Sequence, residues 1–158
     1  MNKEKKQEFT LRITKANKTQ MIVILYDMVL EYLKDSLESL EKEEIKEFKW
    51  NIERAKDCLD ELLNSLNYQY EIAGILRGLY FFYKRELTSA GVHREKEKVL
   101  PVTKMIQELK EAYEQVVAQD TSAPIMENAQ TVYAGLTYGK TSLNENLSDQ
   151  GTNRGFCV

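Results

Sequence analysis

The chain has 158 residues, 42% of them hydrophobic and 30% charged, with a formal net charge of -3. That describes one globular domain, alone or with a tail, long enough to bury a core without staples. The acidic balance speaks against a nucleic-acid binder, which would be basic overall, and no apolar run approaches the ~20 residues that cross a bilayer.

Residues 1–18 are polar and locally basic, with a charged start and no apolar leader behind it. Glu4 and Glu8 dilute the lysines, so the stretch reads as a solvated arm rather than an RNA or membrane contact. Phe9, Leu11 and Ile13 alternate within it. That pattern predicts an extended arm whose apolar side lies on the rest of the protein.

Residues 19–120 carry four amphipathic segments. Asn17 or Thr19 can cap the first, which runs to about Leu40. Between Met21 and Leu30 every residue is apolar or aromatic except Asp27. An ordinary surface helix carries one apolar stripe; this one carries two. Ile22, Tyr26, Val29 and Leu33 form one face, continued by Leu37 and Leu40, and read as core. Met21, Ile24, Met28 and Tyr32 form another, of which Met21, Ile24 and Met28 read as the face for a partner or for the covering arm. Asp27 either points to water and a nearby lysine or is partly buried and accepts a bond that fixes packing or a partner.

The second segment, about 44–65, has the seam Phe48, Ile52, Ala55, Leu59, Leu62 and Leu66. Trp50 lies off that seam, as a surface side chain packed on a neighbour or as an interface anchor. Cys58 flanks the seam as a small buried or half-buried hydrophobe. The third segment, about 71–90, has the seam Ile72, Leu76, Leu79, Tyr83 and Leu87. Ile75, Tyr80 and Phe82 widen its apolar surface, and Gly91 stands as the expected C′ residue. Gly74 and Gly78, four apart, leave room for another helix. The fourth has the seam Val99, Val102, Ile106, Leu109, Tyr113 and Val116, with Pro101 in its first turn or kinking a helix that starts near Arg94. The expectation is an all-α, antiparallel four-helix bundle.

Residues 121–158 are rich in Asn, Thr, Ser and Gly. They read as a flexible tail, with one short docked helix opening at Ser122 and reaching about Tyr133. Val132, Tyr133, Leu136 and Tyr138 are candidates to fold back into a partner groove.

Catalytic sets are missing. His93 is the one histidine, in a predicted loop. A di-iron bundle needs Glu-x-x-His pairs, zinc needs a ligand set, and nucleotide binding needs a glycine-rich loop. Cys58 and Cys157 have neither a disulfide framework nor a metal spacing and fit a reducing cytoplasm. What remains is apolar surface beyond the needs of a four-helix core, of the kind that binds a helix or an unfolded segment.

Two stretches resemble a known family. Leu25-Tyr26-Asp27 within MIVILYDMVLEYL resembles the "LI-x-MLYDGAI-x-x-L" signature of the flagellin export chaperones, the flagellar secretion chaperones called type S. IAGILRGLYFFYKREL resembles their "EIA-x-NL-x-x-LYDY-x-x-RRL" through Glu71, Ile72, Ala73, Leu76, Leu79, Tyr80, Arg85 and Leu87. The likeness spans about Phe9 to Ala118. It departs where Met28 stands for a Gly, Gln69-Tyr70 for Gly-Gly, and Lys15-Ala16-Asn17-Lys18 for "TASP".

The resemblance implies a cytoplasmic chaperone, without cofactor or catalysis, that binds the disordered C-terminal segment of flagellin. Binding would prevent premature polymerisation and support delivery to the type III flagellar export gate. Partner-binding candidates are Met21, Ile24, Leu25, Tyr26, Asp27, Met28, Trp50, Ile72, Ile75, Leu76, Leu79, Tyr80 and Phe82, with Phe9, Leu11 and Ile13 covering the empty groove. The alternative is a structural or adaptor bundle using the same surface for another helix or to form a homodimer.

Overall fold

The computed structural model describes residues Met1–Met126, and among these it contains five helices and no strand. They are α1 (Lys3–Lys15), α2 (Lys18–Glu41), α3 (Ile45–Asn64), α4 (Ile72–His93) and α5 (Lys96–Val117). Helices α2 to α5 form the bundle: α2 packs on α3 and α5, and α4 closes the ring against the same two. Helix α1 is an addition, packed on α2.

Local chemistry explains the boundaries. Asn17 caps α2 through a capping box: its side chain accepts from the Gln20 backbone N–H at 2.8 Å, and the Gln20 side chain accepts from the Asn17 N–H at 2.9 Å. The α2–α3 connection turns at Glu43, with φ 59°. Helix α4 runs past the expected stop at Gly91. Its inward face continues through Ala90, which is fully buried, and the left-handed residue is Arg94, with φ 61°. Pro101 lies inside α5, in a helix that starts at Lys96.

The core is built from the predicted seams. Tyr26, Val29 and Leu33 of α2, Phe48, Ile52, Ala55, Leu59 and Leu62 of α3, and Val99, Val102 and Ile106 of α5 are all buried. On α4 the seam is rotated. Ala73 and Tyr80 are buried with Leu76, Tyr83 and Leu87, while Ile72, at the helix's first residue, is exposed. Val116 is exposed too, beyond the part of α5 that packs inward.

The extended arm expected over residues 1–18 is instead α1. Asn2 caps it by accepting from the Lys5 N–H at 2.8 Å. Helical spacing then decides which side chains meet α2. Phe9 is buried, Ile13 half-buried, and Leu11 faces solvent. Three alternating positions suggested a strand, but a helix cannot put all three on one side. Residues 121–126 are not helical, which leaves the helix expected from Ser122 without its first turn. The rest of that prediction, with Val132, Tyr133, Leu136 and Tyr138, lies outside the described residues.

Candidate functional site

Helix α2 has two apolar faces because it has two neighbours. Its first face enters the bundle core. Its second lies under α1, where Phe9, Ala16 and Ile24 form a buried cluster with Ile13, Met21 and Met28 packed around it. The candidates Met21, Ile24 and Met28 are therefore brought together in one strip, and that strip is covered.

Charge fastens the cover. The N-terminal ammonium meets Asp35, Lys5 lies 3.5 Å from Glu31, and Arg12 donates to Asp27 at 2.5 Å. The three acceptors lie four residues apart on one side of α2, and the order of pairing makes α1 antiparallel to it. Asp27 also takes Lys110 of α5 at 2.9 Å. That hydrogen bond raises the Lys110 pKa against the opposing effect of partial burial. Asp27 thus adopts the second of its two sequence readings: it is partly buried and bridges three helices.

Past Arg12 the fit loosens. A cleft of about 450 Å³ opens between Arg12, Lys15 and Ala16 on one side and Gln20, Val23, Ile24, Glu114 and Val117 on the other. The α1–α2 elbow above it is stapled from the far end of the described chain. Thr19 donates to Asp120, the Asn17 side-chain amide donates to the Ser122 carbonyl at 3.3 Å, and the Ile125 N–H donates to the Ala16 carbonyl at 2.9 Å. Hydrogen bonds from Thr19 and Ser122 hold the Asp120 carboxyl below its usual pKa. Nothing in the sequence signals this staple, because its partners are about a hundred residues apart and individually ordinary.

Several expected contact residues belong to the core. Tyr26 and Tyr80 are buried with their hydroxyls hydrogen-bonded to each other, and Tyr113 and Tyr83 flank the pair at ring-centroid distances of 5.6 and 6.4 Å. Burial pushes both hydroxyl pKa values up. Leu76 is also buried, and Leu25 is half-buried against the core. Tyr26, Leu76 and Tyr80 are corrected accordingly: in this conformation they hold the bundle together and offer a partner no surface.

The accessible candidates fall in two places. Trp50 on α3 is 42% exposed. Its ring stands edge-on to Tyr32 at 6.0 Å, with the Lys6 ammonium 5.7 Å above it, so it borders α1. On α4, Ile72, Ile75 and Phe82 are exposed and Leu79 is half-buried. Phe81, 51% exposed, belongs with them. It stands in the apolar run IAGILRGLYFFY, at an angle on α4 outside the seam widened by Ile75, Tyr80 and Phe82.

Among the described residues no group of three His, Cys, Asp or Glu is placed to hold a metal ion, and no helix is long and apolar enough to cross a membrane. The family model for flagellar protein FliS matches residues 1–120, which is most of the chain. No curated protein matches it. The chain belongs to the FliS family, the flagellin export chaperones, and the likeness read from its second and fourth helices thereby becomes membership.

Proposed function

We propose that this flagellar export chaperone works in the cytoplasm by binding the disordered C-terminal segment of flagellin. It prevents premature polymerisation and supports delivery of the subunit to the type III export gate. The chemistry is burial alone; no bond in the client is made or broken. A segment that orders on binding gives up conformational entropy and so requires a large apolar surface.

The observation that carries this reading is α1 on α2. One short helix, anchored by Phe9 and three ion pairs, covers the strip Met21–Ile24–Met28 and leaves a cleft beside it. An apolar strip covered by a removable helix suits exchange with a client helix, and Met side chains adapt to either occupant. Asp27, Glu31 and Asp35 then face the incoming segment as they face α1. Trp50 lies beside Tyr32 and Lys6 at the edge of the cover, and Ile75, Leu79 and Phe82 offer a separate apolar surface on α4, across the bundle from α2.

Calorimetry with a flagellin C-terminal peptide tests the reading. Saturable binding to the full chain is expected, tightened at least about tenfold by deleting residues 1–15. No binding to either form would overturn the function, and equal binding to both would remove α1 as the occupant of the client strip.

A further inference from the structure

Helix α1 is itself an occupant of the strip on α2, so its own residues record what the strip accepts. Phe9 is buried there with Ala16 and Ile24. Lys5, four residues before Phe9, pairs with Glu31, and Arg12, three residues after it, pairs with Asp27. Lys5 and Arg12 are about two helical turns apart, so both stand on one edge of α1. On the other edge the Lys6 ammonium lies 5.7 Å from the centre of the Trp50 ring. Glu4 and Glu8, the acidic residues of α1, are exposed. Helix α2 answers this pattern. Past Lys18 its charged residues are Asp27, Glu31, Asp35, Glu38 and Glu41 against Lys34 alone. Asp27, Glu31 and Asp35 are only 20–22% exposed beneath α1. Like charges four residues apart on a helix repel, and Lys110 compensates Asp27 alone. A helix that displaces α1 without bringing cations would leave uncompensated carboxylates beside an apolar surface.

We propose that the strip selects its partner by charge as well as by apolar fit, and that α1 carries the rule. The partner is a basic amphipathic helix, antiparallel to α2. It has a large apolar residue where Phe9 lies, one cation four residues before it and another three residues after it. Glu31 and Asp27 are the specificity-determining residues, and Trp50 reads a further cation on the opposite edge. A helix with carboxylates at these positions is rejected even when its apolar face fits, because like charges then meet at the edge of a dry contact. The inference rests on the reading that a client helix takes the place of α1, and it adds which helix the site accepts.

Fluorescence anisotropy with a labelled peptide of residues 2–16 tests the rule on two full-length receptors whose cover is loosened, Phe9→Ala and Arg12→Ala. The peptide should bind both, and Lys5→Glu in the peptide should weaken it about three- to tenfold. Adding Glu31→Lys to the receptor should weaken the parent peptide to a similar degree and restore the Lys5→Glu peptide. An unlabelled flagellin C-terminal peptide should displace the label, and it should lose about three- to tenfold in affinity for the Glu31→Lys receptor. A labelled peptide that binds neither receptor, or a charge swap that restores nothing, would overturn the rule. A flagellin peptide that displaces the label yet ignores Glu31→Lys would overturn this inference alone and leave the client reading standing. One that binds no form would overturn the client reading and this inference with it.

Discussion

Arg12 of α1 donates to Asp27 of α2 at 2.5 Å, and Lys110 of α5 reaches the other oxygen of the same carboxylate at 2.9 Å. One side chain thereby joins the covering helix to the bundle. It is also the one charge in a ten-residue apolar run. Replacing it by a neutral isostere, Asp27→Asn, should cost about 1–2 kcal/mol in denaturant unfolding, more than an exposed ion pair because it serves two cations at a partly buried site. The cover should also answer to salt. Between about 0.05 and 1 M salt, amide exchange in residues 3–15 should speed up while α3 stays protected, because screening acts on the three α1 pairs and not on the apolar seam.

Phe9 is the apolar anchor of α1, so Phe9→Ala should loosen that helix selectively. About 2–3 kcal/mol of docking energy is at stake, at the low end for a buried Phe because the site lies at the edge of the protein. The chain has one Trp, at position 50, with the Lys6 ammonium over its ring. Its emission should therefore shift in the Phe9→Ala protein, and shift again when a client peptide binds. Trp50→Ala should cost less than about 1 kcal/mol of stability, since half of the ring is already wet. An unchanged spectrum on release of α1 would show that Trp50 does not sense the cover.

The buried Tyr26–Tyr80 pair should behave as a unit. Tyr80→Phe strands the Tyr26 hydroxyl and should cost about 1–2 kcal/mol, whereas the double change to Phe should cost less than the sum of the two singles. Both hydroxyls have pKa values raised by burial. Their contribution is complete below the ordinary Tyr pKa near 10, since neither state has yet lost a proton. Above it the unfolded chain ionises first, so stability should fall as pH rises past 10. Urea unfolding from pH 8 to 11 checks the sign, and the fall should be shallower in the double-Phe protein.

Burial pushes the Cys58 thiol up to about 12. At pH 8 it is a protonated core side chain, so a thiol reagent should reach it only through opening of the bundle. In a Cys157→Ser background the rate of modification should follow the unfolding equilibrium as denaturant is raised. Immediate reaction in the folded state would contradict the burial.

The bundle was legible in the sequence because seams such as Phe48–Ile52–Ala55–Leu59–Leu62 repeat at helical spacing and turned out buried throughout. The arm was misread for a related reason. Phe9, Leu11 and Ile13 alternate, and three residues do not distinguish a strand from a helix that buries only one of them well. The two faces of α2 were separable by pattern, but their neighbours were not: periodicity reports that a face is apolar, not what covers it. Tyr80 shows the limit most clearly. It looked like surplus surface beside the α4 seam, yet the rotated seam buries it, where it meets the demand of the Tyr26 hydroxyl for a buried partner. No count of apolar positions on α4 contains that demand, because the partner lies on another helix.

The staple at the α1–α2 elbow has a consequence for the order of events during synthesis. Ala16 and Asn17 are made early, and Ser122 and Ile125 emerge more than a hundred residues later. Closing so long a loop is entropically costly and waits until the intervening helices have assembled. A chain still on the ribosome therefore carries α1 held by Phe9 and its ion pairs alone, with the elbow at Ala16 and Asn17 unstapled. The cover is laid down locally and locked from a distance afterwards.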